Sequence, residues 1–246
     1  MTNKYMYFIA NWKMFGDIKS LKSLNKVIKF SKSKEINKGR LIYCPPYTLI
    51  SSFLKKFKNC QIDIGGQNCH EQESYGPHTG YINSRMLKNI GANYVIIGHS
   101  ENRLKGENDK LINVKIKTAL KARLKVIFCI GETLNEKKRK KTKLVLSKQI
   151  KIGLSNINNK SNIFIAYEPV WAIGTGLVPK TKDLFKIVNF IKSKFTRKPI
   201  KILYGGSVNP QNIKKLKEIN NIDGFLIGGA SQSAKKFIDI VKKTYN

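Results

Sequence analysis

An α/β fold of eight strand–helix units is predicted by three features of this sequence. Short apolar, β-branched segments alternate with longer amphipathic ones along the whole chain. Dividing the 246 residues by eight gives about 31 per unit, a natural size for a βα repeat. No Pro/Gly/Ser-rich linker and no break in composition divides the chain, so one domain spanning residues 1–246 is expected. A core of that size needs neither metal nor disulfides. Periodicity alone leaves a closed (β/α)8 barrel and an open doubly wound sheet as alternatives.

The strands are expected at Met6 to Ala10, Leu41 to Cys44, Gln61 to Gly65, Tyr94 to Ile97, Val126 to Ile130, Ile163 to Tyr167, Ile200 to Tyr204 and Gly224 to Ile227. Most are apolar throughout instead of alternating, which suits parallel strands covered on both faces. Helical spacing links Ile18, Leu21, Leu24 and Ile28, then Leu184, Ile187, Val188, Ile191 and Phe195, then Ala234, Phe237, Ile238 and Val241. Lysines occupy the opposite faces, so these stripes read as core faces. Asp17 and Ser233 are expected N-caps. From Gly66 to Asn83 there is no helix or strand pattern, and Gly76, Pro77 and Gly80 shape turns. Connections of that length inside a compact domain usually carry function.

Lys and Arg number 47 against 15 Asp and Glu, a net charge of +32. A negatively charged partner, nucleic acid or a phosphorylated small molecule, is one reading. The basic residues are scattered and include the featureless run Lys137 to Lys143, so biased composition is the favoured reading. A nucleic-acid partner is not expected: zinc spacing, an aromatic RNA-binding signature and a lysine-rich tail are missing. Cys44, Cys60, Cys69 and Cys129 form no C-x-x-C pair and suit neither zinc nor a disulfide framework. Met1 to Tyr7 is polar and runs into a strand, without a signal-peptide pattern, and no apolar run reaches membrane-spanning length. A cytoplasmic protein with reduced thiols and no membrane partner is expected.

The strand exits are where polar residues gather. The first leads into Asn11-Trp12-Lys13, the fourth into Gly98-His99-Ser100-Glu101, the sixth into Glu168-Pro169, the seventh into Gly205-Gly206-Ser207 and the eighth into Gly228-Gly229. Core packing alone would not place such residues at one end of several strands; a barrel enzyme does. The paired glycines permit backbone N–H groups to approach a phosphate, and a short helix after Gly229 would aim its N-terminus at the same anion. Pro169 holds Glu168 out of a helix. Val170 to Gly176, apolar and ending in glycines, reads as a lid. At His99 the N–H groups of the following turn would disfavour imidazolium.

These segments resemble the triosephosphate isomerase family. The matching motifs are Ala10-Asn11-Trp12-Lys13-Met14, Gly98-His99-Ser100-Glu101, Cys129-Ile130-Gly131-Glu132-Thr133, Tyr167 to Gly176, Tyr204-Gly205-Gly206-Ser207-Val208 and Gly228-Gly229-Ala230-Ser231, in family order over nearly the whole chain. The resemblance implies a closed barrel that interconverts dihydroxyacetone phosphate and glyceraldehyde 3-phosphate in glycolysis and gluconeogenesis. It implies Glu168 as general base, neutral His99 as the group polarising the carbonyl, Lys13 as a positive charge near the developing oxyanion and Asn11 as a hydrogen-bond donor to substrate. Gly174, Ser207, Gly228 and Gly229 would hold the phosphate through backbone N–H groups. Glu101 would hold Lys13, and the Tyr204 hydroxyl would steady the closed lid. It implies no metal or organic cofactor, a structural Cys129 beneath Glu168, and a homodimer in which the loop Gly66 to Asn83, through Thr79, enters the partner near Asn11 and Lys13.

The chain departs from the family pattern in places. Asn102 stands where an arginine is usual, Tyr81 replaces a glutamate, and Pro77-His78 replace a small residue and an aromatic one. Leu177-Val178-Pro179 replace a lysine-containing far hinge of the lid. A weaker dimer and a slower lid are therefore expected. A barrel that has lost catalysis and a sister isomerase for another sugar phosphate are the rival readings. Asn11, Lys13, His99 and Glu168 argue against the first. The Trp171 lid argues, through the resemblance, for a three-carbon substrate.

Overall fold

The computed structural model describes residues 4–36, 38–195 and 199–246. Eight strands close into one parallel barrel in sequence order: β1 (Met6–Asn11), β2 (Gly39–Cys44), β3 (Ile62–Gly66), β4 (Tyr94–Ile97), β5 (Lys125–Ile130), β6 (Ile163–Tyr167), β7 (Lys201–Tyr204) and β8 (Gly224–Ile227). The open-sheet alternative is excluded by the pairing of β1 with β8, Phe8 opposite Phe225 and Ala10 opposite Ile227. The α-helices are α1 (Leu24–Ser31), α2 (Ile50–Lys56), α3 (Ser84–Asn89), α4 (Ser100–Leu104), α5 (Asp109–Lys121), α6 (Leu134–Lys138), α7 (Thr142–Gly153), α8 (Thr181–Lys192), α9 (Ile213–Lys217) and α10 (Ala234–Tyr245).

The solidly apolar strands serve two cores. Inward-pointing Ile9, Ile42, Tyr94, Ile127, Cys129, Phe164, Leu203 and Leu226 fill the barrel. Their neighbours in sequence, such as Phe8, Leu41, Val126, Phe128 and Phe225, face the helices and pack with Val27, Phe53, Ile116, Val188 and Phe237. Side chains alternate across a strand, so both faces of each strand must be apolar in a barrel jacketed by helices. Burial of one such side chain contributes about 1.5–3 kcal/mol.

Both expected caps are present. Asp17 accepts from Ser20 N, and Ser233 Oγ accepts from Lys236 N at 3.3 Å. The helix expected from Ile18 to Ile28 differs. Asp17 caps a 3-10 turn, Ile18–Lys22, and α1 starts only at Leu24. The tighter turn shifts the register, and Ile18 is 63% exposed instead of facing the core. β4, β6 and β8 have the expected limits, and the other five strands differ by one or two residues. Ile200 lies outside β7, and β3 runs from Ile62 to Gly66. The absence of a targeting pattern was read from Met1 to Tyr7, of which Met1 to Asn3 lie outside the described residues.

Between Gly66 and α3 the chain makes no helix or named strand, as expected, yet it is tied to itself. His70 N donates to Ile82 O at 2.8 Å, and Asn83 Nδ2 donates to Ser74 O at 3.0 Å. The His70 ring lies 4.4 Å from that of His78 and 4.8 Å from that of Tyr81. Two of the residues that depart from the family pattern, His78 and Tyr81, thus stack on His70 within their own loop. No helix among the described residues is long and apolar enough to cross a membrane.

Candidate active site

The C-terminal ends of the strands bring the expected side chains to one cavity of about 380 Å³. Asn11, Lys13, His99, Glu168, Gly174, Ser207, Gly228 and Gly229 all line it. Glu101 lines a neighbouring cavity of about 360 Å³ that shares Asn11, Lys13 and His99 with the first. Tyr204 lines neither cavity; it is buried, and among the described residues its hydroxyl has no hydrogen-bond partner.

Asn11 ends β1 and is buried. Its Oδ1 accepts from Lys13 N at 3.1 Å, which draws the chain into a tight bend. Lys13 sits at φ +54°, a region a non-glycine residue occupies only when its surroundings hold it there. Gln67 supplies that hold by donating to Lys13 O and to Cys44 O, both at 2.8 Å. The Lys13 ammonium lies 2.6 Å from Glu101 Oε1. Burial pushes the Glu101 carboxyl up, but the Lys13 hydrogen bond and the nearby positive charges outweigh it, so the net shift is downward.

His99 N-caps α4. Its Nδ1 accepts from Glu101 N at 3.2 Å, so that nitrogen carries no proton and the ring's proton belongs on Nε2. Nε2 lies 3.6 Å from Glu168 Oε1. Gly98, at φ +75°, turns the chain so that the ring enters the cavity. Arg103 joins the exits of β4 and β5 by donating to Gly98 O at 2.7 Å and Cys129 O at 3.1 Å.

Glu168 directly follows β6, and its backbone N donates to Ile130 O at 2.8 Å. Glu168 is 3% exposed, and among the described residues its Oε2 has no hydrogen-bond partner. Cys129, inward-facing on β5, lies against it, and burial pushes the thiol well up. Gly205 leaves the room the carboxylate occupies: a Cβ there would lie 2.6 Å from Glu168 Cγ. Opposite, Ser231 N donates to Gly228 O at 2.8 Å within the 3-10 turn Gly229–Gln232, which begins at the second glycine pair.

Two findings place the chain among known proteins. The family model described as triosephosphate isomerase matches residues 6–244. A relative of that name from Thermodesulfovibrio yellowstonii is 41% identical over 244 residues, covering 96% of this chain and 98% of its own.

The chain belongs to the triosephosphate isomerase family.

A relative from Bradyrhizobium diazoefficiens, also named triosephosphate isomerase, is 39% identical and covers 98% of this chain and 99% of its own. The crystal structure of triosephosphate isomerase from Bartonella henselae superposes with a TM-score of 0.89 at 37% identity, covering 98% of this chain and all of that one.

Within this member of the triosephosphate isomerase family, the segment after Glu168 forms a 3-10 turn, Val170–Ala172. Gly174 and Gly176 then follow at φ +70° and +78°, and the tip from Gly174 to Leu177 is exposed. The near end is anchored by a residue to which sequence reasoning gave no role. Glu132 is 1% exposed; Trp171 Nε1 donates to its Oε1 at 2.9 Å, and the Tyr167 hydroxyl donates at 3.1 Å. Burial pushes the Glu132 carboxyl up, against the pull of these hydrogen bonds and of Lys137. The Lys137 ammonium sits 3.3 Å above the Trp171 ring. One signal was available: Glu132 follows a strand exit, directly before the capping box of Thr133 and Glu136. At the far end, Pro179 lines a small cavity with Trp171, Glu132 and Lys137, and Val178 packs on the core.

Proposed function

We propose that the chain interconverts dihydroxyacetone phosphate and D-glyceraldehyde 3-phosphate through an enediolate, as one catalytic domain over residues 1–246. The observation that carries this reading is the carboxylate oxygen of Glu168 that has no hydrogen-bond partner among the described residues, buried at a cavity that His99, Lys13 and two glycine pairs also line. Glu168 takes the proton from the carbon beside the carbonyl and returns it to the neighbouring carbon. His99 donates from Nε2 to the carbonyl oxygen and moves protons between the two enediolate oxygens; its Nδ1 is already committed to Glu101 N. Lys13 places a positive charge near the developing oxyanion, and Glu101 orients it. Asn11 donates to substrate oxygens. Backbone N–H groups of Gly174, Ser207, Gly228 and Gly229 hold the phosphate. Closure of the lid brings it to the Tyr204 hydroxyl and keeps water from the enediolate, which would otherwise expel phosphate. These steps are proton transfers that the side chains supply themselves.

The enzyme acts in the cytoplasm as a homodimer. Support comes from apolar side chains left exposed: Met14 (94% exposed) and Tyr81 line the second cavity, and Phe15 follows Met14 in the chain. The loop Gly66 to Asn83 of a second copy, led by Thr79, would cover them and fill the cavity beside Lys13. The test is isomerisation in deuterated water. Deuterium at the carbon next to the carbonyl, absent with Glu168→Gln, supports the reading. Turnover without solvent exchange in either protein counts against Glu168 as the base.

A further inference from the structure

The phosphate end of the cavity carries a side chain that the family resemblance does not explain. Lys236 lines the cavity together with Gly174, Ser207, Gly228 and Gly229. It is the third residue of α10, held there by the Ser233 cap, and the first turn contains no acidic residue. A cation in that position is repelled by the positive end of the helix, so the local field favours an anion beside it. The Lys236 ammonium has no ion-pair partner among the described residues, whereas the Lys13 ammonium lies 2.6 Å from Glu101. Of the two lysines on this cavity, only Lys13 is paired with a carboxylate among the described residues. The glycine turns offer N–H dipoles but no net charge, which leaves a phosphate dianion undermatched without Lys236.

The geometry points to Lys236 as a phosphate-binding residue whose ammonium pairs with the substrate's dianion. This role rests on the triose phosphate reading above. Lys236 is exposed and its side chain is long, so the pair is of the modest class, strengthened as the lid excludes water. The proton transfers do not involve it. Its contribution therefore belongs to phosphorylated substrates and to phosphate itself.

The experiment compares the parent with Lys236→Gln, Lys236→Ala and Lys236→Arg on D-glyceraldehyde 3-phosphate and on D-glyceraldehyde, which lacks the phosphate. Inorganic phosphate is titrated as a competitive inhibitor. For Gln and Ala, the ratio of kcat/KM on the two substrates falls about fivefold, the inhibition constant for phosphate rises by a similar factor, and Arg restores both. A ratio equal to the parent's, or equal losses on both substrates, overturns the role of Lys236 while leaving the reaction intact. A parent protein that does not turn over D-glyceraldehyde 3-phosphate instead rejects the triose phosphate reading, and this inference with it.

Discussion

Replacing Gly205 by alanine tests how closely the barrel positions Glu168. The added Cβ would lie 2.6 Å from Glu168 Cγ, 3.0 Å from Oε1 and 3.2 Å from Cδ. Gly205 N is bonded to Tyr167 O at 2.9 Å, and Glu168 N to Ile130 O at 2.8 Å, so neither backbone yields easily. Relief must come from the Glu168 side chain. Opening 2.6 Å to an ordinary contact of 3.4 Å moves the side chain by about 0.8 Å. A displacement near 1 Å costs on the order of 100-fold in rate, equivalent to about 2.7 kcal/mol of barrier. Overpacking costs a further ~1–3 kcal/mol of stability. Steady-state kinetics with a coupled dehydrogenase reads the first, and thermal unfolding reads the second. The expected result is a large fall in kcat with a smaller change in KM. A variant within twofold of the parent in kcat, at an unchanged melting temperature, would refute the claim that Gly205 reserves this space.

Two further outcomes follow from the anchor of the lid. The Glu132 carboxyl is pushed up by burial, so the fold binds its proton more tightly than the unfolded chain does. Its stabilising contribution is complete below the unfolded value of about 4.3 and is lost as pH rises through the raised folded value. Glu132→Gln does not titrate there, so its melting temperature should gain on the parent's between pH 4 and 7; a constant difference across that range would contradict the assignment. Lys137→Met removes the cation above the Trp171 ring, an interaction worth about 0.5–1 kcal/mol at an exposed site. Catalytic efficiency should fall two- to fivefold, on the order of that energy, with more methylglyoxal and free phosphate released; an unchanged product ratio would separate Lys137 from lid closure.

Much of this architecture was legible from the chain because a helix-jacketed barrel needs strands apolar on both faces, and the runs around Ile9, Ile96, Ile127 and Ile165 have no other reading. The polar residues at the strand exits were legible for the complementary reason: Asn11, His99 and Glu168 interrupt apolar runs at points where packing gives no cause. Ile18 was misread because apolar spacing does not reveal that Asp17 starts a 3-10 turn, which changes the register. Glu132 was passed over because its partners, Tyr167 and Trp171, lie more than thirty residues away in sequence and meet it only through the pairing of Ile130 with Tyr167. Lys137 was hidden in a lysine run that composition alone explains, and Lys236 in the polar face of an amphipathic helix. A charge acquires a role only when the fold sets it above a ring or beside a cavity.

The central claim is that Glu168 is the base of a triose phosphate isomerisation. The most direct test measures conversion of D-glyceraldehyde 3-phosphate by the parent and by Glu168→Gln, with matched far-ultraviolet circular dichroism and melting temperature. The account predicts an active parent and a variant slower by roughly 100- to 10,000-fold, the usual span of a general base. A folded variant as fast as the parent, or a folded parent with no activity, would contradict it.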